Sequence, residues 1–217
     1  MKHPQKDAEV VVEFVADNSV ESRLIGGGGR GFWAHMTQHV APGMVIDARL
    51  DAMTIAKLDP GVEPDTQHWQ RLLDGAWHIP AGVQRRPAAY LLANPYSLTL
   101  AMSCTQAARA DFLAALESQV GQRYDVPGIW DRVFNRLIDP NWRGKHHPFF
   151  CNALGIWALQ KKAKIVRPLM EPPYGRTPGA ACDACMATEG SRVVQFRGDA
   201  IETFLKMAGF DVTAIPH

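Results

Sequence analysis

An apolar run with helical spacing that opens on a cysteine constrains this chain more than any other stretch: Phe149-Phe150-Cys151-Asn152-Ala153-Leu154-Gly155-Ile156-Trp157-Ala158-Leu159. Phe150, Leu154, Trp157 and Ala158 share one face of such a helix, and a segment this apolar has to be packed against other elements. Lys145-His146-His147-Pro148 leads into it, so Cys151 falls in the first turn. There, unpaired backbone N–H groups and the positive end of the helix dipole favour a thiolate. A thiol whose pKa is lowered in this way is a nucleophile, whereas most cysteines are small buried hydrophobes. What separates the two is whether an imidazole stands within reach.

Two upstream strands supply one. Glu9 to Ala16 (EVVVEFVA) is β-branched and apolar, the composition of a buried strand. Phe32 to Val40 alternates with His35, Thr37 and His39 on one face, Ala41-Pro42-Gly43 makes a turn, and Met44 to Leu50 returns as the second strand of a hairpin. His35 and Asp47 then lie on paired neighbouring strands, close enough for a carboxylate to orient an imidazole. A register slip of one residue would turn Asp47 to the other face. Cys151, His35 and Asp47 are the nucleophile, proton carrier and orienting group that cysteine hydrolysis needs. Their order is His, Asp, Cys, which is no objection because triads are defined by geometry. His39 is the rival base, and His146 and His147 are close to Cys151 in sequence.

The rest of the chain is read as support. Asp17-Asn18-Ser19 caps a short helix over Val20 to Ile25, and the glycine run from Gly26 to Gly31 lacks the GK[ST] of a phosphate loop, so it is a pliable turn. Residues 51–80 form an irregular excursion, with turns at Asp59-Pro60-Gly61 and Glu63-Pro64-Asp65 and a short helix over Thr66 to Leu73. Strands are expected over Arg85 to Leu92 and Tyr96 to Ser103. A helix runs from Thr105 to Val120, capped at Ser103 or Thr105, with Ala107, Phe112, Leu113 and Leu116 inward and Gly121 as its stop. A second helix is expected over Ile129 to Ile138, and Asp139 to Gly144 is a loop. Gln160 to Lys164 is a solvated helix end, Pro168 to Pro178 wraps the surface, and Asp199 to Ala208 is a last helix closed by Gly209.

At 217 residues and 47% apolar content, one domain over residues 1–217 can bury a proper core. The formal net charge of +1 and the lack of a basic stripe argue against a nucleic-acid partner. The start, Met1-Lys2-His3-Pro4, reads as neither a signal peptide nor a membrane span, so a cytoplasmic product is expected. Four cysteines (Cys104, Cys151, Cys182, Cys185) are too few for a disulfide scaffold. Cys182-Asp183-Ala184-Cys185 is a lone C-x-x-C, half a zinc site or a redox pair without the second half, and no metal is assigned to it.

Four pieces in order, Trp33-Ala34-His35-Met36, Val45-Ile46-Asp47-Ala48-Arg49, Gly121-Gln122-Arg123-Tyr124-Asp125 and Phe149-Phe150-Cys151-Asn152-Ala153, resemble the circularly permuted papain-like cysteine hydrolases. These form the YiiX-like branch of the NlpC-type peptidase superfamily, which also holds relatives of lecithin:retinol acyltransferase. The resemblance runs from about Val10 to Ala180. It implies an α+β fold in which a central antiparallel sheet carries the histidine and packs on a helix with the nucleophile at its N-terminus. It further implies hydrolysis of peptide or amide bonds, cell-wall peptides among them, without metal or cofactor, and a bacterial or phage source. Tyr124 matches a family tyrosine near the cysteine that helps to hold substrate or oxyanion. The chain departs from the pattern at Asn152-Ala153, where the family has Ser-Glu, and at Met36-Thr37, where it has Val-Gly/Asp. Two other classes are a thioester-forming acyltransferase of the same fold and a binding module with an inert cysteine.

Overall fold

In the computed structural model, residues 6–16, 32–124, 151–166 and 178–215 are described. The cap and helix expected over residues 17–25, the glycine run, the helix at 129–138, the loop at 139–144, His146, His147, Phe149, Phe150 and most of the proline-rich segment lie outside them. Strand β1 (Ala8–Ala16) takes the centre of a sheet because its valines and Phe14 fit a pleated, two-sided burial. It pairs antiparallel with β2 (His35–Ala41) on one side, and β3 (Met44–Arg49) returns from β2 through a turn at Gly43. A second, three-stranded sheet follows from β4 (Met53–Ile55), β5 (Gln70–Arg71) and β6 (Trp77–Ile79), in the order β4-β6-β5. Three further strands, β7 (Gly82–Pro87), β8 (Tyr96–Cys104) and β9 (Ser191–Arg197), complete the main sheet in the order β7-β3-β2-β1-β8-β9, antiparallel throughout.

The described α-helices serve one face of that sheet. Helix α1 (Gln106–Glu117) starts where Thr105 accepts a hydrogen bond from Ala108 N. Helix α2 (Cys151–Trp157) runs on into a π turn over Ala158–Lys162. Helices α3 (Pro178–Met186) and α4 (Asp199–Met207) follow. Val10, Val12 and Phe14 of β1, with Met36, Ile46, Leu98 and Leu100 beside them, form one apolar cluster with Phe112, Leu116, Leu154, Ile156, Cys182, Ile201 and Leu205. Each such Leu or Phe contributes about 1.5–3 kcal/mol by leaving water. The protein is therefore α+β, an antiparallel sheet with helices against it. No helix among the described residues is long and apolar enough to cross a membrane.

The opposite face is built differently. Thr99 pairs with Glu13, Glu13 with Thr37, and Asp47 with Gln84, while the Gln38–Ile46 pair sets Asp47 beside Thr37. The result is a row of polar side chains across five strands, every one of them buried. A 3-10 helix over Ala88–Ala93 crosses this face and packs Leu91 on Val15 and Val45.

Several local expectations are corrected. Thr66 to Leu73 is not a helix: His68 N and Trp69 N both donate to Asp65 O, one turn forms, and the chain then extends so that Gln70 and Arg71 pair with His78 and Trp77. A buried Trp69, donating from Nε1 to Arg85 O, fixes that geometry against helical propensity. Residues 51–80 thus carry a small sheet of their own around Trp69 and Ile79. The strand expected to reach Leu92 ends at Pro87, which has no N–H to continue the ladder. Ala107 of α1 is exposed, and Phe112, Ala115 and Leu116 make the inward face. Strand β9 and helix α3 are not foreseen from the sequence; β9 is mostly half-buried and carries Arg192, Gln195 and Arg197, which hide a strand pattern.

Candidate active site

Where α2 meets the sheet, a glycine sets the spacing. A Cβ on Gly155 would stand 2.6 Å from Gln38 Nε2 and 2.7 Å from Met36 Cε, the free ends of two flexible side chains that would have to swing aside, so helix and strand meet closely here. One turn earlier, that approach delivers Cys151 to the start of β2. The chain before β2 is itself anchored: Ala34 N donates to Val15 O at 3.1 Å, and Trp33 packs on Phe14 and hydrogen-bonds the Cys182 thiol. The Cys151 sulfur lies 4.0 Å from Ala34 O and 3.8 Å from Asn152 Oδ1. Backbone N–H groups of Met36 and Asn152 donate to it, and so does the ring of His35.

The other side of His35 is held by a carboxylate. His35 Nε2 stands 2.9 Å from Asp47 Oδ2, so the nitrogen left for the sulfur is Nδ1. Burial alone would raise the Cys151 pKa, but the imidazolium charge, its hydrogen bond and the two backbone donors outweigh this, and the thiol is held below its ordinary value. Burial would likewise pull His35 down, yet the thiolate and the Asp47 carboxylate together push it up to about 9. Each charge thus favours the other, moving Cys151 toward thiolate and His35 toward imidazolium.

Asp47 is fully buried and is not left to His35 alone. Arg86 Nη1 donates to its Oδ1 at 2.5 Å, and the Tyr90 hydroxyl, from the 3-10 helix, donates to Oδ2. Burial opposes the charged carboxylate, but the Arg86 guanidinium, then His35 and Tyr90, hold its pKa well below the usual carboxylate range. With Cys151 as thiolate and His35 as imidazolium, Cys151, His35, Asp47 and Arg86 make a line of alternating sign, minus, plus, minus, plus, that sums to zero.

Of the sequence candidates, the structure brings Cys151, His35 and Asp47 together. The rival His39 is engaged elsewhere, its Nε2 being 3.0 Å from Glu13 Oε2. Tyr124 belongs to a segment pinned on β7: Val83 N donates to Gln122 O and Gly121 N to Val83 O, both at 2.8 Å. A Cβ on Gly82 would fall 2.3 Å from Gln122 O, so that docking requires a glycine. Tyr124 is half-buried against the main apolar cluster, at the sheet end that His35 shares, two strands away. Cys182 and Cys185 sit on α3 in the core, where burial pushes their thiols up, Cys185 to about 12. No group of three or more potential metal ligands occurs among the described residues.

Sequence reading missed Arg86, Tyr90 and the Met36 N–H. Taking β7 to begin at Arg85 left Arg86 without a face; starting it at Gly82, where Gly82 pairs with Arg49, places Arg86 on the Asp47 side. Compared with protein families and with curated proteins, the chain finds no match.

Proposed function

We propose that this chain is a cysteine hydrolase of peptide or amide bonds with a permuted papain-like fold, using Cys151, His35 and Asp47. The observation that carries the reading is that one imidazole touches both the Cys151 sulfur and the Asp47 carboxylate. The thiolate attacks the scissile carbonyl carbon, forming a C–S bond while the carbonyl electron pair moves to oxygen. The backbone N–H of Cys151 faces the developing oxyanion, and Tyr124 helps to hold it or the substrate. Collapse breaks the C–N bond, and His35 Nδ1 gives its proton to the leaving amine. His35, now neutral, takes a proton from water, whose oxygen attacks the thioester; the acid leaves and the thiolate returns. Asp47 stays ionised throughout and steadies each imidazolium. Cell-wall peptides are the substrate class that the family resemblance points to.

The test uses a p-nitrophenyl ester as acyl donor and mass spectrometry of the protein. Wild type releases a burst of nitrophenol and gains one acyl group on Cys151, and a cell-wall peptide is cleaved; Cys151→Ser and His35→Ala do neither. Amine trapping of the acyl group in preference to water would make the chain an acyltransferase instead. Absence of acylation on Cys151 in folded wild type would overturn the enzyme reading.

A further inference from the structure

The Asp47 carboxylate poses a problem that the triad does not solve. It is buried completely, and one shared proton from His35 would be enough to neutralise it. If that proton moved to Asp47, His35 would become neutral and nothing would balance the thiolate. Some fixed positive charge has to hold the proton on the imidazole side.

We infer that Arg86 is that charge: a positioning residue that keeps Asp47 ionised and aimed, so that the Cys151–His35 pair rests as thiolate and imidazolium. This rests on the hydrolase reading above and names what maintains its site. Arg86 is as buried as Asp47, and Asp47 is its one ion-pair partner among the described residues. Its other donors go to backbone carbonyls: Nη2 to Pro80 O at 3.0 Å, Nη1 to Asp47 O at 3.3 Å, and both to Gly82 O at 3.5 Å. Those three carbonyls hold the guanidinium in one orientation without competing for its charge. The Arg86 Nε–H is buried with no partner among the described residues.

No neighbouring group among the described residues can replace it. Arg49, on β3, is already bidentate to Asp51, with Nε–Oδ1 at 2.9 Å and Nη2–Oδ2 at 3.0 Å. Tyr90 supplies a hydrogen bond but no charge, and Thr37 and Gln84, which flank Asp47 in the polar row, are neutral. Arg85, next in sequence, points to the other face and binds Glu117 of α1 at 2.6 Å. The two adjacent arginines are not interchangeable.

The deciding measurement is the rate of Cys151 alkylation by iodoacetamide as a function of pH, for wild type, Arg86→Gln and Arg86→Lys. Gln keeps an amide for Oδ1 and loses the charge; Lys keeps the charge and loses the fork. Wild type alkylates rapidly at neutral and mildly acid pH. In Arg86→Gln the rise moves to alkaline pH, and alkylation at pH ~6 slows on the order of tenfold or more, as expected when the thiolate becomes a minor species there. Arg86→Lys retains most of the wild-type profile. A folded Arg86→Gln with the wild-type profile overturns the inference and leaves the hydrolase reading standing. Wild type that alkylates only at alkaline pH overturns both. Should Arg86→Gln fail to fold, Arg86→Lys decides: a profile moved to that of an ordinary thiol refutes a role resting on charge.

Discussion

Asp47→Asn is the sharpest perturbation, because it removes one charge and no volume at the point where three donors converge. Arg86 Nη1 at 2.5 Å, His35 Nε2 at 2.9 Å and the Tyr90 hydroxyl all require an acceptor there. An asparagine offers one oxygen and an NH2. If the oxygen faces Arg86, the NH2 faces Nε2 and the tyrosine oxygen, so His35 is forced into the Nδ1–H tautomer and cannot rest as imidazolium. Removing one partner of a buried ion pair costs about 3–5 kcal/mol, because the remaining charge is stranded. For a protein of this length each kcal/mol is worth about 2–4 °C, so the melting temperature should fall by roughly 6–20 °C at neutral pH. Turnover should fall on the order of 10²- to 10⁴-fold, the range in which oriented acid–base catalysis operates. The pH dependence has a defined sign. The Asp47 pKa is lowered in the folded state, so its stabilisation is complete above the unfolded value of ~4 and disappears as pH falls toward the folded one. The gap between wild type and variant should therefore be constant through neutrality and narrow only in strong acid. The assays are thermal unfolding by circular dichroism from neutral to acid pH and hydrolysis at pH ~7. A variant melting within about 2 °C of wild type with unchanged turnover would refute the picture of a clamped, functioning carboxylate.

Two other outcomes follow from the same geometry. His39→Ala should keep turnover within a few-fold of wild type while His35→Ala abolishes it, since His39 is occupied by Glu13 rather than sulfur; equal losses in the two variants would reverse the assignment of the base. Amide hydrolysis should decline as pH rises through about 9, where His35 gives up the proton that the leaving amine needs. Alkylation of Cys151 should not decline there, because the thiolate persists. Parallel loss of both would mean that the alkaline limb reports unfolding, which a melt at the same pH reveals.

How much of this was legible in the sequence depends on the range of each interaction. The hairpin was, because Ala41-Pro42-Gly43 fixes a turn and the alternation of His35, Thr37 and His39 fixes a face; the one ambiguity, register, is resolved by the Gln38–Ile46 pair and an irregularity between His39 and Ala41. Helix α1 was legible because its cap at Thr105 is local; it ends at Glu117, short of the stop expected at Gly121, and residues 118–121 make turns. The position of Cys151 against His35 is not a local property. It depends on Gly155 meeting Met36 and Gln38 across more than a hundred residues of chain, and a glycine in a helical run gives no sign of what lies opposite it. Arg86 was illegible for a related reason. The sequence places both arginines at the start of a strand without saying what either meets, and the strand turns one toward Glu117 on the helix side and the other into the buried polar row. The helix assigned to Thr66–Leu73 failed because pairing to β6 and the burial of Trp69 outweighed propensity, a tertiary effect that no window of sequence contains.

The two faces of the main sheet divide the work. On the helix side, Val12, Phe14, Met36 and Leu100 are chosen for volume, and their packing fixes where α2 stands, hence where sulfur is carried. On the other side, Asp47, held by Arg86 and Tyr90 within the buried polar row, bears on the protonation of the ring that sulfur meets. His35 stands at the end of β2 where the two systems touch, with Nδ1 turned to the helix tip and Nε2 to the polar row. Because successive side chains of a strand alternate between faces, position and charge can be altered independently. Changes at Gly155 or Met36 should move sulfur relative to the ring without altering which proton the ring carries. Changes at Arg86 should alter the proton without moving sulfur. That separation is what makes the alternating line of four charges tolerable in the interior: the apolar face supplies the stability, and the four charges cancel one another.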